Sequence, residues 1–182
     1  MSERYEIRFS GSGGQGLILA GVIFAEAATI FDGINAVQSQ SYGPEARGGA
    51  SKSEVIISDR VIDFPKAQAI DLQLSLTQES CTKYYKDLKA DGTLLVDSDF
   101  VLEIPKGSFK VVKLPIIRTA SEEIGKAFVA NIVALGAITA LTGKVKIESV
   151  EKAVLSRVPK GTEEMNKKAL KAGYDLAKAN LN

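Results

Sequence analysis

Two short segments hold the residue types from which a site could be built. Gly11-Ser-Gly-Gly-Gln-Gly16 places glycines at the spacing G-x-G-x-x-G, between an alternating apolar stretch and a long apolar run. After a strand and before a helix, such glycines allow a tight turn. They also bring backbone N–H groups and a helix start close to an anion. Gly11, Gly13, Gly14, Gln15 and Gly16 are therefore candidate contacts for an anionic, phosphate-bearing ligand. Close packing of helix on strand explains the same glycines equally well. A dinucleotide reading needs a carboxylate at the end of the second strand, about 20 residues on, to hold the ribose hydroxyls. Here that stretch is Asn35-Ala-Val-Gln-Ser-Gln40, and Asp32 precedes the strand, which argues against a nicotinamide cofactor.

The second segment, Ser39-Gln-Ser-Tyr-Gly-Pro-Glu-Ala-Arg-Gly-Gly-Ala-Ser51, is too rich in Gly and Pro for a central strand. It puts Tyr42, Glu45 and Arg47 on a glycine-flanked loop beyond a strand's carboxyl end, where open α/β sheets form ligand crevices. Two readings stay open: Arg47 pairing Glu45 over Tyr42, or a face turned to a partner or ligand. Asn131 interrupts an apolar helix, and it either satisfies a buried backbone group or contacts a ligand directly. Cys81 is the single cysteine and the chain has no histidine. No disulfide, cysteine-ligated cluster, metal site or nucleophile–base pair can be assembled on those terms, and no catalytic residue is assigned.

The elements that must carry these segments follow from periodicity. Strands are expected at Tyr5–Ser10, Asn35–Gln40, Ser53–Ser58, Ile70–Leu76, Thr93–Val96 and Lys110–Leu114, with Asp59-Arg60 turning into a further short strand at Val61–Asp63. Helices are expected at Leu17–Phe31, ending at Asp32-Gly33, and at Gln78–Leu88. Thr119 and Glu122 have capping-box spacing for a helix over Ser121–Leu141. Shorter and longer helices follow at Ile147–Arg157 and after Gly161-Thr162, where Glu163 and Glu164 suit a helix start. Strands alternating with helices, then a helical C-terminal end, predict a single α/β domain over residues 1–182. Its sheet is Rossmann-like and mostly parallel, flanked by helices, with room for one antiparallel hairpin.

Composition limits the function classes. The 182 residues carry a formal net charge of +1, so nothing overall favours nucleic acid. Residues 144–182 hold nine Lys/Arg against five Asp/Glu, a mildly basic tail that reads as a solvated helical face. The apolar runs Leu17–Ala25 and Phe128–Leu141 are shorter than the about 20 residues of a membrane span, and the polar N-terminus lacks a signal-peptide core. A soluble cytoplasmic protein, off the membrane, is expected.

At the two glycine-rich segments, and again at Ala127-Phe-Val-Ala-Asn-Ile-Val-Ala-Leu-Gly136, the chain resembles the gamma subunit of 2-oxoacid:ferredoxin oxidoreductases along essentially its whole length. The Gln-Ser-Tyr-Gly-Pro-Glu-Ala-Arg-Gly-Gly-Ala-Ser form is most similar to the 2-oxoglutarate branch, with pyruvate and ketoisovalerate members close behind. The resemblance implies a role in the coenzyme A-dependent oxidative decarboxylation of a 2-oxoacid to an acyl-CoA, carbon dioxide and reduced ferredoxin. It implies that thiamine diphosphate, magnesium and iron–sulfur clusters reside on alpha, beta and ferredoxin-like delta subunits. No Gly-Asp-Gly diphosphate motif occurs in this chain. It further implies that Gly11–Gly16 and Tyr42–Gly49, with Asn131, face those subunits and help shape coenzyme A entry. Whether the isolated chain forms a homodimer through that face stays open. The rival readings are a stand-alone NAD-dependent oxidoreductase and a nucleotide- or coenzyme A-binding module or scaffold.

Overall fold

Alternating residues with β-branched and aromatic side chains build one six-stranded sheet in the order β2-β3-β1-β4-β5-β6. The computed structural model describes residues 4–41 and 49–181. The strands are β1 (Arg4–Ser12), β2 (Asn35–Ser41), β3 (Ala50–Ser58), β4 (Ile70–Ser75), β5 (Leu88–Asp97) and β6 (Lys110–Leu114). β1, β4, β5 and β6 pair in parallel, whereas β3 runs antiparallel to both β1 and β2. Five strands therefore share one direction and β3 alone is reversed. The chain leaves β1 toward one edge through β2 and β3, then returns to β4 on the other side. That switch point places the carboxyl ends of β1 and β4 beside each other, the usual seat of a crevice in such sheets.

Two layers of unequal weight cover the sheet. On one face, Ile7, Phe9, Val55, Leu72, Leu74 and Leu95 pack beneath α1 (Leu17–Glu26), α4 (Ala130–Thr142), α5 (Ile147–Arg157) and α6 (Glu163–Ala179). α1 continues through a π-turn over Ala27–Phe31 and ends at Gly33, whose φ of 68° is the left-handed stop. α4 is buried from Ala130 to Ala140 because α6 lies on it. The crossing is close enough that a Cβ built on Gly173 would sit 2.7 Å from the Val133 carbonyl carbon, and one on Gly136 2.8 Å from the Tyr174 nitrogen. Among the described residues, the other face carries α2 (Gln78–Tyr84) over a small cluster of Cys81, Leu94, Val96 and Val101.

Two expected elements are absent. Val61–Asp63 is not a strand. Arg4 donates to the carbonyls of Phe64 and Lys66 at 2.8 and 2.7 Å, and the Glu6 carboxylate accepts from the N–H groups of Gln68 and Ala69 at 2.7 and 2.8 Å. Side chains thus hold the backbone of the segment that follows in a non-strand form, and Val61 remains 78% exposed. Thr119 is not a helix cap either. A short α3 (Ile116–Arg118) runs into a π-turn over Thr119–Glu123, Gly125 at φ 78° breaks the chain, and a 3-10 turn over Ala127–Val129 precedes α4. The bounds of β3 and β5 also shift: they begin three and five residues before the expected Ser53 and Thr93.

Candidate functional site

The glycine segment lies at the carboxyl end of β1. Gly11 and Ser12 are still strand residues, paired with Ser51 and Ala50 of β3, so both glycine-rich segments emerge side by side. The chain then turns on itself: the Ser12 N–H donates to the Gln15 side-chain carbonyl at 2.8 Å, and the Gln15 N–H to the Ser12 carbonyl at 3.4 Å. Gly14 and Gly16 sit at φ 88° and 72°, and Gly16 starts α1 without a side-chain cap. Asn131, 6% exposed at the start of α4, donates to the Gly16 carbonyl at 3.2 Å.

The four glycines divide into two pairs. A Cβ on Gly11 would meet Gln15 and stand 2.7 Å from Leu17 Cδ1, and one on Gly16 would stand 2.6 Å from Asn131 Nδ2. Neighbouring side chains fill the space at these two, and Gly16 also takes the left-handed backbone. At Gly13 and Gly14 no atom of the described residues lies where a side chain would be, which leaves room for another backbone or a ligand to approach their amides. Asn131 and Gln15 shape the turn from within; of the sequence candidates, Gly13 and Gly14 supply its outward face. Tyr42, Glu45 and Arg47 lie outside the described residues. Asp32 is committed elsewhere: its carboxylate accepts from the Lys146 N–H at 2.8 Å and the Ser149 hydroxyl at 2.6 Å, which anchors the start of α5. It is not free to hold a ribose.

The end of the second segment is anchored by residues that sequence reasoning missed. The Ala50 N–H donates to Glu79 at 3.3 Å and the Ala50 carbonyl accepts from the Tyr84 hydroxyl at 2.9 Å, both side chains coming from α2. Beneath them, buried Arg8 pairs with Glu54 at 2.6 Å and Asp87 at 2.8 Å, while Lys52 reaches the same Glu54 oxygen at 2.9 Å. The Arg8 guanidinium and the Lys52 ammonium each lie 5.5 Å from the Tyr84 ring centre. The available signal was the alternation Arg8-x-Ser10 against Lys52-x-Glu54, a polar face opposite an apolar one.

Cys81 is fully buried on this side. Burial pushes its thiol above the usual range, partly offset by a hydrogen bond with Ser75, so it is a poor thiolate ligand or nucleophile. Among the described residues no group of three His, Cys, Asp or Glu side chains converges on one point. The donor set therefore does not fit an iron–sulfur cluster. Nor does any helix among the described residues have the length and apolarity to cross a membrane.

Residues 6–176 match the family described as pyruvate ferredoxin/flavodoxin oxidoreductase. The chain belongs to this family. It is 56% identical over 177 residues to the 2-oxoglutarate synthase subunit KorC of Methanocaldococcus jannaschii, covering 96% of this chain and 95% of that one. To the ketoisovalerate oxidoreductase subunit VorA of Methanothermobacter thermautotrophicus it is 32% identical over 180 residues, covering 96% of this chain but 37% of that one. The crystal structure of a keto/oxoacid ferredoxin oxidoreductase gamma subunit from Geobacter sulfurreducens superposes with a TM-score of 0.91 at 61% identity, covering 97% of both chains. The α/β fold expected from the sequence is thus the fold of this family's gamma subunits.

Proposed function

We propose that this chain is the gamma subunit of a 2-oxoglutarate:ferredoxin oxidoreductase and works only within that complex. The complex decarboxylates 2-oxoglutarate oxidatively with coenzyme A, giving succinyl-CoA, carbon dioxide and reduced ferredoxin. The gap between the KorC and VorA identities, 56% against 32% over nearly the whole chain, carries the choice of 2-oxoacid. Thiamine diphosphate, magnesium and the clusters belong to companion alpha, beta and ferredoxin-like delta subunits, which pass electrons to ferredoxin. No bond-making step is assigned to residues of this chain.

Its own part is to present a preorganised face. The open side of Gly13 and Gly14, beside the strand end that bears Ala50, supports a contact with a companion backbone or with the phosphates of coenzyme A. Tyr42, Glu45 and Arg47 are assigned to the same contact with the companion subunits on their residue types alone, because an aromatic and an arginine suit the centre of an interface. A nucleotide- or coenzyme A-binding module with no catalytic complex is the weaker reading, since the similarity runs the full length of dedicated oxidoreductase subunits. The test is anaerobic co-purification of the tagged chain. Thiamine- and cluster-bearing subunits should come with it, and Arg47→Ala should lower their recovery or the activity of the complex. An Arg47→Ala complex that forms and turns over normally removes the loop from this account.

A further inference from the structure

A cavity of about 320 Å³ opens where the starts of α1, α4 and α6 meet, lined by Leu19, Phe128, Ile132, Val158, Pro159 and Met165 among others. Phe128 is 69% and Leu19 39% exposed, so two large apolar side chains of one groove meet water. The polar groups that reach this groove have partners already. Asn131 donates to the Gly16 carbonyl, Asn166 donates to the carbonyl and hydroxyl of Thr162 at 2.9 and 3.1 Å, and Arg157 pairs with Glu26 at 2.9 Å. That pairing holds the Glu26 carboxyl below its usual range, so the charge at the rim is matched. A groove of this kind gains little from a charged guest and gains from the removal of water from carbon.

The family comparison indicates what removes it. The same module is a free-standing subunit in KorC, matched over 95% of its length, and only 37% of the longer VorA chain. A module that is separate in one lineage and covalently continued in another has an obligate neighbour. Obligate interfaces are centred on apolar residues, with aromatic side chains enriched. The groove is also continuous with the glycine turn, because Asn131 lines the one and holds the other.

We propose that the Leu19–Phe128 groove receives aliphatic or aromatic side chains of the companion oxidoreductase subunit that corresponds to the remainder of the VorA chain. The proposal rests on the subunit reading above and uses none of the residues Tyr42, Glu45 and Arg47. The neighbour inserts apolar side chains against Ile132 and Met165 on the floor, and Phe128 folds over them. The matched polar rim needs no new partner.

The test uses the tagged full chain co-expressed with its companion subunits. Phe128→Asp and, independently, Leu19→Lys alter exposed side chains, so both chains should melt as the wild type does. Each should retain companion subunits at least about tenfold less well, and Phe128→Leu should restore retention. Wild-type retention by both folded charged variants overturns the proposal. So does an intact complex whose only change is a raised KM for coenzyme A, which would make the groove a small-molecule site. A wild-type chain that retains no companions refutes the subunit reading itself, an outcome distinct from failure of the groove alone.

Discussion

Replacing Gly173 by alanine tests the packing that holds α4 and thereby the glycine turn. Two terms of opposite sign compete. Alanine favours a helix interior over glycine by about 1 kcal/mol. Against this, the new Cβ would lie 2.7 Å from the Val133 carbonyl carbon and 3.0 Å from its Cα, and nearer still to its oxygen. Ordinary carbon contacts are about 3.5–4.0 Å, and the atoms in the way are backbone, which no rotamer change can move. The helices must part by roughly 1 Å, and overpacking of this kind costs about 1–3 kcal/mol or somewhat more. The close approach to the Val133 oxygen puts the cost at the upper end, so the expected net loss is about 2 kcal/mol, or a Tm lower by roughly 4–8 °C for a chain of this size. Thermal and urea melts of the isolated chain read it directly, with Gly13→Ala as a control, since a Cβ there meets nothing within 4 Å. A Gly173→Ala chain as stable as the wild type, or more so, would mean that helix propensity prevails and that α4 and α6 do not cross at this distance.

Asn131→Ala should destabilise the chain by about 1 kcal/mol, because the Gly16 carbonyl keeps the Ala20 N–H but loses its tie to α4; urea melts would show it, and an unchanged midpoint would mean the bond contributes nothing. Burial first, and the Asp71 carboxylate second, push the Tyr5 hydroxyl up to about 12. The unfolded chain loses that proton near pH 10 while the folded chain keeps it. Stability should therefore be unaffected by Tyr5 below about pH 10 and fall between about pH 10 and 12. Tyr5→Phe should remove that part of the fall, and parallel Tm–pH curves for the two chains over that range would contradict it.

How much of this was legible in the sequence depends on the range of the forces involved. β1, β2, β6, α5 and α6 could be read because side-chain alternation, glycine stops and acidic helix starts act within a few residues. The insertion of antiparallel β3 between β1 and β2 could not, since strand order follows from pairings such as Phe9 with Ser53. The Val61–Asp63 stretch has strand-like composition, but Arg4 and Glu6, some 60 residues away, hold the neighbouring chain in another form. The Thr119–Glu122 spacing imitates a cap, and Gly125 undoes it by taking the left-handed conformation. At the site, the glycine pattern was visible, yet its division into packed Gly11 and Gly16 and open Gly13 and Gly14 depends on Leu17, Gln15 and Asn131 in three dimensions. The Arg8–Glu54–Lys52–Tyr84 network joins three elements, and the alternation along β1 and β3 marks its polar face without showing which side chains meet.

The most direct measurement is an add-back. The oxidoreductase purified anaerobically without this chain is assayed for coenzyme A-dependent dye reduction, then again after the chain is restored, with 2-oxoglutarate, pyruvate and 2-ketoisovalerate as alternative substrates. The account predicts that activity returns with the chain and is highest on 2-oxoglutarate. Full activity before the chain is added, or a restored preference for pyruvate or 2-ketoisovalerate, would contradict it.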